Sequence, residues 1–236
     1  MAKVDINPIQ WHEGMLLMPQ HFQQTDIRVE KVMTYYMSHI FSFFWGIVHL
    51  KIDEALLTSG VFRPIELEAI MPDGLVIPSI PETKTPLQVS LIPFQGKLQV
   101  TPSFIYLCVP QWQEGDTGVG GDLPRYLSSL NANVVDINTG EQGIDIPRLV
   151  PNLSLQVGQE PPAHYVSFPL AQVTYDAKSF SLTNYLPPQV QVDPLSGIGG
   201  ICNQLAERLR QKLGYLQQKV QAVENRVTRD PFFEEI

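Results

Sequence analysis

Cysteine is scarce in this chain: Cys108 and Cys202 are the two among 236 residues, too far apart in sequence to suggest a disulfide framework. That excludes a small stapled scaffold and fits a reducing compartment. Long apolar runs are missing too. The densest, Ile40 to Leu50, is about eleven residues, broken by Ser42 and His49, against the ~20 that a membrane span needs. Residues 1 to 10 hold Lys3, Asp5 and Pro8 without the apolar stretch of a secretory leader, so a soluble, cytoplasmic protein is expected. Basic charge is in deficit: the net charge is -8, and residues 1 to 200 alone carry -9. Such a body does not attract nucleic acid. Catalytic signatures are also lacking. The glycine cluster Gly115 to Gly121 contains Asp116, precedes Asp122 and is followed by no Lys-Ser/Thr pair, so it reads as a surface loop rather than a phosphate cradle. Glu66 and Glu68 share one solvated strand face, and His12 and His21 are nine apart, without the i, i+4 spacing that sets two imidazoles on one helix face. The expectation is a non-enzyme with no cofactor, no metal and no small-molecule substrate.

Proline is abundant, with 20 among 236 residues, most of them crowded between Pro64 and Pro194. They forbid long helices there and restrict strands to edges and ends, so the middle reads as all-β. Ahead of it, Pro19 can open a helix whose apolar stripe of Phe22, Val29, Met33, Tyr36, Ile40 and Phe44 runs to near Gly46 and calls for a large packing surface. Val48, Leu50 and Ile52 alternate as a half-buried strand, and Asp53 to Leu57 reads as a helical turn closed by Gly60. Ile65, Leu67 and Ala69 alternate with Glu66 and Glu68, and Pro72-Asp73-Gly74 turns the chain into Leu75-Val76-Ile77 as a hairpin. Further strands are expected at Leu87 to Ile92, Lys97 to Thr101, Phe104 to Pro110, Val134 to Ile137, Leu149 to Val157, His164 to Tyr175 and Phe180 to Leu182. Strands this short and regular favour a sandwich or barrel-like sheet pair.

Beyond Asp193-Pro194, a plausible cap and first helical residue, the period changes. Leu209, Leu213, Leu216, Val220, Val223 and Val227 step by 4, 3, 4, 3 and 4, an a/d seam that Ala206 and Cys202 extend by a heptad before Pro231 ends it. Residues 201 to 229 carry a local charge of +4 around that seam. A helix of this kind gains little alone and calls for another helix. The fold class is therefore mainly β with helices: a sandwich-like domain over residues 1 to 188 preceded by one helix, then a helical neck from 189 to 236.

The most unusual stretch runs from Trp11 to Gln23. It crowds Trp11, His12, Glu13, Gly14, Met15, Leu16, Pro19, Gln20, His21 and Phe22 together without a helical or strand period. On residue types alone, Trp11 and Phe22 could simply fill a core behind the loop. The thirteen positions also fit the pattern W-x-E-G-M-x-L-x-P-Q-H-F-Q. In this the chain resembles the TssK family, the baseplate subunit of bacterial type VI secretion systems, and the strand, acidic turn and P-D-G turn that follow continue the likeness more loosely. Met18 departs from the Arg that family members often carry, removing a charge.

The resemblance implies a trimeric structural protein whose N-terminal β domain, similar to the shoulder of phage receptor-binding proteins, docks on the other baseplate subunits, TssF and TssG-like. A helical neck would follow, then a C-terminal head contacting the membrane complex. It places the protein in the cytoplasm, at the inner face of the inner membrane. This chain reaches only the start of the neck, so the head is expected to be absent. Trp11, Glu13, Met15, Leu16, Pro19, Gln20, His21 and Phe22 become the expected partner-binding residues. Leu209, Leu213, Leu216, Val220, Val223 and Val227 become the oligomerisation seam. A second reading is a phage-like carbohydrate-binding module, which would need Trp112, Tyr126 or Tyr165 clustered toward solvent in a groove.

Overall fold

The computed structural model describes residues 6–81, 85–112, 118–176, 178–192 and 197–227. Asp193-Pro194, Pro231 and part of the Gly115 to Gly121 loop lie outside them. The chain divides into two compact units, Met1–Gln191 and Val192–Ile236.

In the first unit, helix α1 (Pro19–Ile40) leads into β1 (Gly46–Ile52), the short helix α2 (Glu54–Thr58), β2 (Val61–Phe62), β3 (Pro64–Ile70) and β4 (Val76–Ile77). After β5 (Val89–Ser90) come a 3₁₀ turn and the short helix α3 (Gln95–Leu98), then β6 (Ser103–Pro110), β7 (Tyr126–Val134), β8 (Ile144–Pro151), β9 (Ser154–Gly158), β10 (Tyr165–Asp176) and β11 (Ser179–Leu182). The strands form a three-stranded sheet in the order β1-β3-β4, a four-stranded sheet in the order β11-β10-β6-β9, and two-stranded pairs β2-β5 and β7-β8. The two larger sheets share one core. Ile47, Leu67, Ala69 and Ile77 from the first pack with Ile105, Leu107, Val109, Phe168, Val173 and Phe180 from the second. The architecture is thus sandwich-like, mainly β and preceded by one helix. Each Val, Leu, Ile or Phe side chain buried this completely contributes roughly 1.5–3 kcal/mol relative to exposure.

Local chemistry sets the joints. Asp53 caps α2, its Oδ1 accepting the Leu56 N–H at 3.1 Å, and Arg63 Nη2 donates to its other oxygen at 2.6 Å. Pro169 interrupts the β10–β6 ladder at a register shift, the place where a residue without an N–H is tolerated. Gly46 has φ +134°, and a Cβ there would lie 2.7 Å from the Pro188 carbonyl oxygen. It begins β1 at a close backbone approach rather than ending α1.

Several expectations are corrected. Helix α1 stops at Ile40, capped by the Phe41 N–H on the Met37 carbonyl. Lys97 to Thr101 is no strand: Gln99 N–H bonds Gln95 O and Thr101 N–H bonds Lys97 O, and only Leu98 enters the core, so alternation there mimicked a pleat that local turns replace. Leu87 to Ile92 shrinks to β5. Leu149 to Val157 is two strands, separated at Asn152-Leu153: the Asn152 N–H makes the last rung to β7, on the Arg125 carbonyl, and β9 then pairs with β6 instead. The strand expected at Val134 to Ile137 ends at Val134 and occupies the preceding residues, which carry no clean alternation and are held by pairing with β8. Ile65 is exposed because the β1–β3 register shifts between Lys51 and Ile52, turning it off the inner face.

The second unit contains α4 (Gly197–Val227), a 31-residue helix. Among the described residues no helix is long and apolar enough to cross a membrane.

Candidate functional site

The stretch before α1 is shaped by its own backbone and by one ring. Gly14 turns at φ +75°, and Met15 N–H reaches back to the His12 carbonyl at 3.4 Å. Pro19 opens α1, where its missing N–H costs nothing. His21 then closes the start reciprocally: its N–H donates to Met18 O at 3.0 Å while the Met18 N–H donates to His21 Nδ1 at 3.0 Å. The imidazole therefore accepts through Nδ1, and Trp11 lies tilted beside it with ring centroids 5.8 Å apart. This order comes without burial. Trp11, Leu16 and Phe22 are 52%, 77% and 56% exposed, so Trp11 and Phe22 do not fill a core of this chain. Glu13, Pro19 and Gln20 are exposed as well, and Met15 and His21 are half-buried.

Helix α1 seats on the β unit through the face bearing Ile27, Arg28, Lys31 and Thr34, all half-buried. Arg28 Nε donates to the Ile6 carbonyl at 3.0 Å, and Lys31 Nζ lies 5.8 Å from the Trp112 ring centroid. Gly74, in the β3–β4 turn with φ +88°, faces Thr34 so closely that any side chain there would collide with it. Beneath sits Arg125, which donates to the Pro110 carbonyl at 2.8 Å and to Asp73 at 2.6 Å. Burial raises the pKa of Glu30 on α1; the Arg125 charge works against that, and Asp26 and Asp73 add to it. Sequence reasoning missed Arg125, since nothing in the local pattern distinguishes a lone arginine before a strand. The face expected to pack is the other one: Phe22, Val29, Met33, Tyr36 and Ile40 are 47% to 66% exposed.

On α4 the seam residues Leu209, Leu213, Leu216, Val220 and Val223 are 47% to 67% exposed. The side chain of Val227 lies outside the described residues.

The other perturbed groups are explained by local structure. Asp53 is held low by the Leu56 N–H and Arg63, Glu66 by His49 and Lys51, and Asp136 by the N–H groups of Thr139 and Asn138 in its own turn. Burial pushes the Cys108 thiol up to about 12, away from reactive thiolate. Trp112, Tyr126 and Tyr165 are half-buried rather than solvent-facing, and Arg125 lies against the Tyr126 ring, so the groove that a carbohydrate module would need is not built from them.

Residues 21–230 match the family T6SS_VasE, described as "Bacterial Type VI secretion" and including EvfL, ImpJ and VasE. The type VI secretion system baseplate component TssK1 of Pseudomonas aeruginosa is 27% identical over 231 residues, which is 94% of this chain and 49% of that protein. A crystal structure of TssK superposes with a TM-score of 0.73 at 24% identity, over 96% of this chain and 50% of that one. A baseplate complex of the type VI secretion system gives 0.77 at 20% identity, over 98% and 52%. A TssK-TssF-TssG baseplate subcomplex gives 0.66 at 22% identity, over 78% and 62%. The fold is shared, and the chain spans about half the length of the curated relative it matches.

Proposed function

Because this chain belongs to the bacterial type VI secretion family of VasE, we propose that it acts as a structural, non-catalytic subunit of the secretion baseplate. Its β unit docks on other baseplate subunits, TssF and TssG-like, through the stretch from Trp11 to Phe22. Its α4 helix associates with copies of itself, as a homotrimer. The assembly works in the cytoplasm at the inner face of the inner membrane.

One observation carries the docking reading: the opening stretch is fixed in shape by His21 and Pro19 while Trp11, Leu16 and Phe22 stand out of the core. Ordered, exposed aromatic and aliphatic side chains rimmed by Glu13 and Gln20 have the composition of an interface core with a polar rim. Co-purification of the chain with TssF and TssG-like subunits tests it. Leu16→Asp should abolish capture while leaving the β unit folded, since Leu16 touches no core. Undiminished capture by a folded Leu16→Asp variant would refute this site.

The α4 seam supports self-association, and its flanks favour parallel helices. Lys212 and Lys219 occupy g positions, with Arg210 and Gln217 at e. An antiparallel pair sets g against g and faces lysines with lysines, whereas a parallel arrangement sets Lys212 against Gln217 of the next copy.

A further inference from the structure

Helix α4 carries more apolar surface than its seam uses. Ile201, Leu205, Arg208, Lys212, Tyr215 and Lys219 step by 4, 3, 4, 3 and 4. At 100° per residue they form a second strip about 110° around the helix from the a/d seam. Ile201, Leu205 and Tyr215 are about half exposed, and Lys219 Nζ lies 5.0 Å from the Tyr215 ring centroid. The outside of a coil that meets only water has no use for these three apolar residues.

The β7–β8 hairpin has the complementary character. Among the described residues its strands pair only with each other, and a two-stranded hairpin is marginal in water without cover. Leu130, Ile144 and Leu149 are exposed, and Ile137 at the tip is 98% exposed. Between Val134 and Ile146 the charged residues are Asp136, Glu141 and Asp145, all acidic. The tip is nevertheless built. Asp136 Oδ1 accepts the N–H groups of Asn138 and Thr139 at 2.7 and 3.0 Å, and Asp145 Oδ1 accepts that of Asn133 at 3.0 Å beside the bulge. Such order in a segment that adds nothing to the core suits recognition.

We infer that the acidic β7–β8 hairpin of one copy clasps the basic outer strip of α4 in a second copy, with Ile137 seated among Ile201, Leu205 and Tyr215. Charge selects this partner among the exposed apolar surfaces described above: the α1 stripe is flanked by Asp26 and Glu30 and repels the tip, while Arg208, Lys212 and Lys219 attract it. The clasp rests on the self-association proposed above, and it leaves the a/d residues of the seam free for that contact.

The test uses the full chain with Cys202→Ser, in two differently tagged copies assembled together and then oxidised. With Ile137→Cys in one and Tyr215→Cys in the other, a crosslinked product bearing both tags should exceed severalfold that from Ile137→Cys with Gln217→Cys, which lies on the opposite side of the helix. Arg208→Glu, a strip residue away from the seam flanks, should weaken assembly about tenfold, and adding Glu141→Lys should restore it. Equal crosslinking of the two pairs, or failure of the reversal to restore assembly, would overturn the clasp. A monomeric chain overturns both the clasp and the seam; an assembled chain without the expected crosslink overturns the clasp alone.

Discussion

Arg125 donates through Nη2 to the Asp73 carboxylate at 2.6 Å, joining the start of β7 to the β3–β4 turn across 52 residues of sequence. The guanidinium is almost wholly buried, its Nη1 donates to the Pro110 carbonyl, and α1 sits above the same turn through Thr34. Arg125→Ala removes the partner of a carboxylate and of a carbonyl at once. It should cost roughly 3 kcal/mol, at the lower end for a broken buried pair because Asp73 is partly solvated. Thermal unfolding should fall by about 6–12 °C. A melting temperature within a degree of the native chain would show that the pair is not what holds this corner.

Glu30 makes the opposite contribution. Its pKa in the folded chain is raised, so the protonated form is the better fit: the associated stability is present below the ordinary glutamate range and is lost as pH rises through the raised value. Glu30→Gln should therefore stabilise the chain at pH 7, by no more than about 0.5 kcal/mol for a residue this solvated. The advantage should vanish near pH 4, where the native side chain is itself protonated. Melting curves at both pH values check the sign, and a variant that is less stable at pH 7 contradicts it.

Leu213→Ala with Leu216→Ala should dissociate the assembly, since each truncation in a packed interface costs about 2–5 kcal/mol. The fold of the β unit should be unchanged, because the two residues lie in the separate α4 unit. Light scattering at tens of micromolar reads the result. A native chain already monomeric, or a double variant of unaltered mass, removes the seam from the account.

What could be read from the sequence divides along physical lines. Pro19 at the helix start, Pro72-Asp73-Gly74 in the hairpin and the unbroken apolar run of β6 each express a local rule, and each appears as expected. Ile65 and Lys97 to Thr101 obeyed the same alternation yet fell elsewhere, one through a bulge set by its neighbour strand and the other through competing turn hydrogen bonds. Periodicity found the α1 stripe but could not say which face meets the body, because that contact is made by Lys31 over the Trp112 ring and by Thr34 against Gly74. Arg125 was illegible, since its role depends on Asp73 and Pro110 arriving from distant strands.

Trp11 is the largest side chain of the opening stretch and stands outside the core. Its ring is half exposed and lies beside His21 rather than in the core, so truncation should leave folding almost intact while removing an anchor from the proposed docking surface. The decisive measurement is the affinity of Trp11→Ala for the TssF and TssG-like subunits, taken with its melting temperature. The account predicts a melting temperature within a few degrees of the native chain and binding weaker by at least ~2 kcal/mol, about thirtyfold. A variant that loses many degrees of stability while its folded fraction binds as well as the native chain would contradict it.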